Sequence, residues 1–457
     1  MPVDAGLLFA PNDPPFKAHV AAPDGSNFTY ASLHDRVPHI LTDVINDLYA
    51  AVQERAGPEA AVAEGKALTG ELSRLKHEMV TNKPLTPLED DGEEDVAAWN
   101  HWLATYFPGA TWYQTPFLAW ETYMYRRMAG IFRRSQHWAA HDFFAARKEA
   151  TFRASMAAVA QLCARVDALT AESAADPAKR RVAFAELLQA SLWGNQTDLS
   201  MFPDLTSEAL EEMQARMASG ANGSKVVAND TDRIWQIAAR LRGGRIDIVL
   251  DNSGFELLQD VLLAHWLVAV GIAAKVVFHP KRIPWYVSDV TNRDFHWLVD
   301  VARDPSLAGA PGLAPGDEAT LRRLGACWAG LLADGVWELR DELFWTGPYG
   351  FRYLPTEGRD AWENALVKAD IVFFKGDLNY RKLVYDLDWP VATPFAEALG
   401  PIAAPDAPAI VALRTAKCDT IVGIDEARAR ELSAEHKDWA CSGQYGVIQL
   451  SPGRWAC

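Results

Sequence analysis

The sequence predicts an α/β protein with a mainly helical first half and a Rossmann-like second half built on a mostly parallel sheet. From about residue 32 to residue 202, apolar residues recur every three or four positions, which is the spacing of amphipathic helices. After about residue 225, short β-branched runs alternate with helical stretches. Such alternation predicts parallel strands joined by helical crossovers. The predicted domains are therefore residues 1–225 and residues 226–457.

Four runs in the second half predict buried strands. "RIDIVL", "FELLQDVLLAHWLVAVG" and "AAKVVFH" read as a strand, a helix and a second strand, and "ADIVFFKGD" and "PAIVALRTAK" supply at least two more. The turn after the first strand, "DNSGFE", holds a single glycine where dinucleotide-binding folds use several. We therefore expect a Rossmann-like fold without the dinucleotide-binding fingerprint.

Composition argues against several classes of function. The 457 residues carry a formal net charge of −16, which disfavours a nucleic-acid partner and an anionic membrane surface. The five cysteines include no CxxC pair, which is typical of a reduced compartment. The N-terminus has no secretory pattern, and the most apolar run, "VLLAHWLVAVGIAA", is too short to span a bilayer. We expect a cytoplasmic protein, with the nucleus as a second compartment.

The candidate site lies where the predicted strands end. Ligands of open α/β sheets bind beyond the carboxyl ends of the strands, so the residues that follow each run are informative. Asp251 and Asn252 follow the first strand, and Asp289 lies in the loop after the second. These two strand ends supply carboxylate and amide oxygens, which are hard ligands suited to Mg²⁺ or Mn²⁺.

The other two strand ends supply positive charge. Lys375 begins the segment "KGDLNYRK", and Arg414 and Lys417 bound the segment "RTAK". These side chains could neutralise phosphoryl oxygens, and backbone N–H groups near Gly254 and Gly376 could assist at helix N-termini. A metal and phosphate site needs this division between oxygen ligands and cations. We therefore expect in-line attack on a phosphoryl group by a water activated at the metal.

Each motif alone also has a purely structural explanation. Asp251 and Asn252 could form an Asx-turn, and Ser288 or Asp289 could cap the following helix. "KGDLN" could be an ordinary turn, and "RTAK" could be a solvated strand end. The combination at four strand ends is what favours a functional site.

The sequence does not decide which residue accepts the proton or which residues of the helical half line the pocket. No HExxH, GxSxG or GxxxxGK[ST] motif occurs. The acceptor of the proton from the attacking water stays open between Asp289, Glu256 and Asp377. From the helical half, Asn195 in "LWGNQTDLS" is a candidate for the pocket wall, although a Gly-Asn turn that ends a helix explains this segment equally well.

Many segments closely resemble the acidic-residue methyltransferase and damage-control phosphatase family, domain of unknown function 89, in its RTxK-bearing subfamily. In the second half these are "LDNSGFELLQDVLLAHWL", "IPWYVSDVTNRDFHWLVD", "FFKGDLNYRKLVYDLDW", "LRTAKCD" and "SGQYGVIQL". In the first half they are "DRVPHILTDVIND", "KPLTPLED", "TYMYRRM" and "SLWGNQTDLS". The resemblance covers nearly the whole chain.

The resemblance implies a helical N-terminal domain packed on an α/β/α sandwich. It also implies a divalent metal, Mn²⁺, Co²⁺, Ni²⁺ or Mg²⁺, held by Asp251, Asn252 and Asp289, the residues already selected from the strand ends. Members of this family hydrolyse sugar phosphates such as fructose 1-phosphate and related damaged or reactive metabolites. The resemblance thus implies a metal-dependent phosphomonoesterase acting on a small phosphorylated metabolite. Together with the strand ends, it gives these expected substrate contacts: Asn195, Glu256, Lys375, Asp377, Asn379, Tyr380, Arg381, Arg414 and Lys417.

Two other functions compete with the phosphatase. The same family carries a proposed S-adenosylmethionine-dependent O-methylation of protein glutamate, but a methyl transfer from a sulfonium needs no metal with three oxygen ligands. A binding module for sugar phosphates would use the same pocket without turnover. Release of phosphate that requires a metal separates the phosphatase from both.

Overall fold

The structure is a computed structural model that describes residues 16–22, 24–25, 27–54, 58–194, 225–309 and 313–456. It confirms the predicted fold class, because a helical region precedes a seven-stranded, mostly parallel sheet with helices on both faces. The domain boundary near residue 225 stays a prediction. In the parts of the chain just given, no helix is both long enough and apolar enough to cross a membrane.

The first half is mainly helical, as the spacing of its apolar residues predicts. They are α1 Phe28–Ala31, α2 Val37–Glu54, α3 Glu59–Val80, α4 Val96–Tyr106, α5 Phe117–Arg133, α6 Ala145–Ala154, α7 Met156–Ala175 and α8 Arg180–Trp193. α2 buries Val37, Leu41, Val44 and Leu48, at intervals of three and four residues. α5 is buried on nearly all sides, so it forms the centre of this helical layer.

The second half forms one sheet with the strand order β1-β7-β6-β5-β2-β3-β4. Its strands are β1 Val226–Asn229, β2 Gly244–Val249, β3 Ala273–His279, β4 Trp337–Leu339, β5 Ile371–Lys375, β6 Ala409–Thr415 and β7 Gly446–Ser451. All neighbouring strands are parallel except β6 and β7, which run antiparallel. The four strands predicted from the sequence are the adjacent central strands β6, β5, β2 and β3.

Helices cover both faces of this sheet. They are α9 Thr231–Ala238, α10 Phe255–Ala269, α11 Asn292–Arg303, α12 Pro315–Ala333, α13 Gly376–Val384, α14 Phe395–Leu399 and α15 Glu426–Glu435. Because side chains alternate along a strand, Ile248 and Phe373 pack against α7 to α12. Val249 and Phe374 pack against α13 to α15 on the opposite face. The result is an α/β/α sandwich.

The sheet opens a crevice where β2 and β5 end. β2 lies between β3 and β5 in the sheet. The chain passes from β2 to β3 and β4 on one side, and then crosses to β5 on the other side of β2. Such a switch point leaves a crevice at the carboxyl ends of the strands. The helical half closes over it, since its core includes Ile283, Trp285 and Leu387 from the loops around the crevice and Leu378 from α13.

A buried ionic network joins β2, β3 and the segment that follows β4. His279 at the end of β3 is fully buried, and its Nε2 lies 3.0 Å from Oδ2 of Asp247 in β2. Its Nδ1 lies 3.2 Å from Oε2 of Glu342. Two carboxylates on one imidazole favour the charged form, and they raise the pKa of His279 above its usual value despite the opposing effect of burial.

Candidate active site

Backbone pairing brings the loops after β2 and β3 together. Val290 donates its amide hydrogen to the carbonyl of Asp251 at 2.8 Å. Asn252 and Asp289 form an isolated antiparallel bridge. The three residues expected to hold a metal therefore lie side by side, although 38 positions separate Asp251 from Asp289 in the chain.

Asp251 lies directly against the backbone of Gly376, the residue at which α13 begins. Gly376 has a φ of +80°, and a Cβ atom added to it would lie 1.7 Å from Oδ2 of Asp251. Only glycine fits here, because a side chain would collide with the carboxylate and would strain the left-handed backbone. The Asp251 carboxylate consequently occupies the N-terminal end of α13.

The side chain of Asn252 is held on both sides. Its Nδ2 donates to Oδ2 of Asp251 at 2.6 Å and to Oε2 of Glu256 at 2.8 Å. Its Oδ1 accepts a hydrogen bond from Oγ of Ser288. The orientation of an amide follows from its partners, so a cation near Asp251 would favour the rotated amide with Oδ1 on the carboxylate side.

The electrostatics of the site favour a cation. Burial raises the pKa of Asp289 to about 6, although Nζ of Lys281 lies 3.3 Å from its Oδ2. Burial, reinforced by the charges of Glu256 and Asp289, raises the pKa of Asp251 well above its usual range. A positive ion beside these carboxylates would offset both the burial and the repulsion.

The side chains present fit a divalent metal. Asp251 and Asp289 offer carboxylate oxygens and Asn252 an amide oxygen, which are ligands that hard cations accept. Across residues 16–194 and 225–456, within the described ranges, no group of three or more His, Cys, Asp or Glu side chains is arranged to hold a metal ion.

These residues line a cavity of about 470 Å³ between the helical half and the sheet. Its volume suits a small metabolite. Six of the expected site residues line it: Asp251, Asn252, Asp289, Asp377, Arg381 and Lys417. The structure therefore brings the expected metal ligands and part of the expected substrate contacts into one space.

Arg414 does not reach this cavity but fixes two residues that do. Its Nε donates to Oδ1 of Asp377 at 2.7 Å, and the same oxygen accepts the backbone N–H of Lys417 at 3.0 Å. Arg414 is fully buried, and its two remaining nitrogens donate to the carbonyls of Cys418 and Thr420. Arg414 therefore shapes the loop that presents Lys417.

Lys375 points away from the cavity and into the core. Its side chain is 1% exposed, and Nζ donates to Oδ1 of Asp260 at 2.7 Å, to the carbonyl of Ser191 at 2.9 Å and to Oε1 of Glu256 at 3.1 Å. An ammonium group has three hydrogens, and all three are used. The structure thus gives Lys375 a supporting role, since it binds the carboxylate that holds Asn252.

Three more of the expected substrate contacts lie behind the cavity wall. Glu256 is bonded to Asn252 and Lys375. Asn379 is fully buried and donates to the carbonyl of Lys375 at 2.7 Å, while the hydroxyl of Tyr380 donates to Oε1 of Gln449 at 3.0 Å. These side chains hold the strand ends in place. Asn195, also expected here, lies outside the described residues.

Several polar residues of the cavity wall are not among those expected from the sequence. Arg36, Glu121, Tyr286 and Ser288 all line the cavity. Ser288 stands beside Asp289, where the sequence suggests only a helix cap. Glu121 begins the helical segment "ETYMYRRM", where helical spacing shows a buried face but not what that face contacts.

The loop before Asp289 has a strained backbone. Tyr286 has a φ of +42° and Val287 a φ of +68°, although neither residue is glycine. Such conformations persist only where surrounding structure enforces them, and they concentrate at functional sites. Here they orient the turn that presents Ser288 and Asp289.

The sequence is similar to proteins of one family over most of its length. The family model described as the damage-control phosphatase ARMT1-like domain matches residues 32–432. The mouse protein (Mus musculus) named damage-control phosphatase ARMT1 is 35% identical over 452 residues, covering 95% of this chain and 98% of that protein. Its human counterpart (Homo sapiens) is 32% identical over 454 residues, covering 94% and 98%.

One solved structure matches this chain at low similarity. A DUF89 family protein from Pyrococcus horikoshii covers 90% of this chain and 98% of its own, with a TM-score of 0.42 and 15% sequence identity. This likeness adds nothing to the assignment of the site. The match of the family model and the two mammalian relatives are sufficient, and they show that the chain belongs to the damage-control phosphatase ARMT1-like family.

Proposed function

We propose that this chain is a metal-dependent phosphomonoesterase that hydrolyses sugar phosphates of the fructose 1-phosphate type and related damaged metabolites. One observation carries the proposal: two buried carboxylates, Asp251 and Asp289, line the same small cavity as the cation Lys417. Relatives named as damage-control phosphatases support the reaction class. The metal and the sugar are the parts of this proposal that the names of these relatives do not state.

Asp251, Asn252 and Asp289 are the residues that would hold the metal. When bound, a divalent ion supplies positive charge for the phosphoryl oxygens and lowers the pKa of water. The ammonium of Lys417 binds phosphoryl oxygens. The buried ion pair of Arg414 and Asp377 keeps this side of the cavity in place.

Asp377 is the proton acceptor we favour among the three candidates. Oε1 of Glu256 accepts from Lys375 and its Oε2 accepts from Asn252, so this carboxylate is engaged behind the wall. Asp377 lines the cavity, and both of its hydrogen bonds end on Oδ1. Oδ2 of Asp377 can therefore accept a proton from the attacking water while the oxygen of that water forms a bond to phosphorus. The ester P–O bond breaks, and the sugar leaves as an alcohol after protonation by solvent.

The experiment is phosphate release by chelator-treated protein, with Mg²⁺, Mn²⁺, Co²⁺ or Ni²⁺ restored separately. The substrates are fructose 1-phosphate, other sugar phosphates and p-nitrophenyl phosphate. We expect no release before a metal is added and clear release afterwards, with sugar phosphates among the best substrates.

A parallel reaction with labelled S-adenosylmethionine and a glutamate-containing protein addresses the methyltransferase alternative. The single glycine in "DNSGFE" disfavours that cofactor, since the backbone must approach it closely. Transfer of the labelled methyl group in the presence of chelator, together with no phosphate release with any metal, would contradict the phosphatase proposal and support the methyltransferase.

A further inference from the structure

The cavity wall contributed by the helical half carries an arginine with spare hydrogen-bond donors. Arg36 lines the cavity with 45% of its side chain exposed. Its Nη2 lies 2.5 Å from Oε1 of Glu121, while Nε and Nη1 bond to nothing among the described residues. The guanidinium is thus fixed through Nη2, while Nε and Nη1 are available to donate hydrogen bonds to a ligand.

Glu121 holds this arginine together with one from the other half of the protein. The Glu121 side chain is 1% exposed, and its Oε2 lies 3.7 Å from Nη1 of Arg381 in α13. Arg381 is anchored in turn by two hydrogen bonds of 2.8 Å to Asp386. Glu121 therefore fixes Arg36 relative to the helix that begins at the phosphate end of the site.

The charges of this wall are balanced, which decides what it can bind. Arg36 is neutralised by Glu121, and Arg381 by Asp386. A second anionic group of a ligand would meet the negative charge of Glu121 as well as the arginines. A hydroxyl both donates and accepts, so it suits an arginine and carboxylate pair. The same wall includes Tyr286, whose buried hydroxyl has no hydrogen-bond partner within the described residues.

We propose that Arg36 is a specificity-determining residue that donates hydrogen bonds to a hydroxyl group at the non-phosphate end of the substrate, and that Glu121 positions it. This inference rests on the proposed function and names the chemistry of its substrate as a polyhydroxylated phosphate ester. It also gives the helical half a direct part in substrate selection. Sites that hydrogen-bond a substrate hydroxyl discriminate strongly against analogues without it.

The test compares fructose 1-phosphate with p-nitrophenyl phosphate, which has no sugar hydroxyl. The measured quantity is the ratio of their kcat/KM values for wild type, Arg36→Met and Arg36→Lys. Arg181→Met is the matched control, since Arg181 forms an exposed ion pair with Asp232 outside the cavity. Arg36→Lys preserves the charge beside Glu121, so it guards against a variant that fails to fold.

We expect Arg36→Met to lower this ratio about 10- to 100-fold, as a lost charged hydrogen bond does. Arg36→Lys should give an intermediate loss, and Arg181→Met should keep the wild-type ratio. Equal effects of both Arg36 variants on the two substrates would overturn the proposal, because Arg36 would then serve only the structure.

A binding measurement separates this inference from the proposed function. Dissociation constants for fructose 1-phosphate and for inorganic phosphate are measured on chelator-treated protein, where no turnover is needed. We expect wild type to prefer the sugar phosphate and Arg36→Met to lose that preference by the same factor as the kinetic ratio. A wild type that binds both ligands equally contradicts the inference even if phosphate release is observed. Absence of release from every substrate contradicts the proposed function alone.

Discussion

Oδ2 of Asp251 lies only 1.7 Å from the place where a Cβ atom on residue 376 would stand, and the residue there is Gly376. A carboxylate that is expected to bind metal is thus seated against a backbone with no side chain. The contact joins the ends of β2 and β5, the two strands that frame the crevice. The position of the carboxylate depends on this one missing methyl group.

Gly376→Ala should therefore displace Asp251 and lower kcat/KM by about 100-fold or more, because small misplacements of reacting groups are costly. The strained left-handed residue should also lower the free energy of unfolding by about 1–3 kcal/mol. Gly271→Ala is the control, since Gly271 has a φ of +75° with nothing within 4 Å of an added Cβ. Equal activity in the two variants would show that the contact with Asp251 is unimportant.

Lys375 and Lys417 should behave differently although the sequence presents both as phosphate-binding cations. Lys375→Met leaves Glu256 and Asp260 without their buried partner, so we expect the free energy of unfolding to fall by about 3–5 kcal/mol. Lys417→Met should change stability by less than about 0.5 kcal/mol and lower kcat/KM instead. Urea unfolding and phosphate release are measured on both variants. A Lys375→Met protein that is stable but inactive would show that Lys375 binds the phosphate and does not serve the fold.

Asp251→Asn should make the metal-free protein more stable while abolishing phosphate release. The raised pKa of Asp251 means that its ionised form is disfavoured in the fold, chiefly by burial and then by Glu256 and Asp289. A neutral side chain of the same shape removes that penalty, and we expect a gain of about 0.5–2 kcal/mol at pH 7. Thermal unfolding in the presence of chelator is the measurement. A destabilised variant would show that the carboxylate is satisfied without a cation.

The His279 network predicts a pH-dependent contribution to stability. Burial opposes ionisation of Glu342, yet His279 outweighs it and lowers the pKa of Glu342 from 4.5 to about 2. For an acid with a lowered pKa, the stabilisation is present above pH 4.5 and is lost as the pH falls from 4.5 towards 2. Such a shift corresponds to about 3 kcal/mol.

Glu342→Gln should accordingly be less stable than wild type by about 3 kcal/mol near pH 6, with the difference shrinking as the pH is lowered below 4.5. Urea unfolding between pH 6 and pH 3 follows this difference. Glu357→Gln, at an exposed position, is the matched control and should show little difference at any pH. A constant difference across the range would rule out the ionic contribution.

The central strands could be predicted because they are buried β-branched runs of five to seven residues. β1 and β4, with four and three residues, are too short for a pattern to stand out. The antiparallel direction of β7 depends on how the chain returns to the sheet, which side-chain pattern does not record. The fold class could therefore be predicted from the sequence. The short strands β1 and β4 and the direction of β7 could not.

At the site, the rule about strand ends selected residues whose loops do meet, Asp251, Asn252 and Asp289. It could not tell which cations face the crevice, because neighbouring side chains of a strand point to opposite sides. Lys375 ends β5 and points inward, whereas Lys417 lies beyond β6 and reaches the cavity. Arg36 stands more than two hundred residues in the chain from the residues proposed to hold the metal, so only the packing of the two halves reveals it.

The measurement closest to the central claim is calorimetric titration of Mn²⁺ into chelator-treated wild type, Asp251→Asn and Asp289→Asn. We expect one ion to bind to wild type, an affinity lower by about 100-fold or more in both variants, and loss of phosphate release in parallel. Glu64→Gln, at a carboxylate remote from the cavity, serves as the control. Wild-type affinity for Mn²⁺ in both variants, with phosphate release intact, would contradict the assignment of the metal centre.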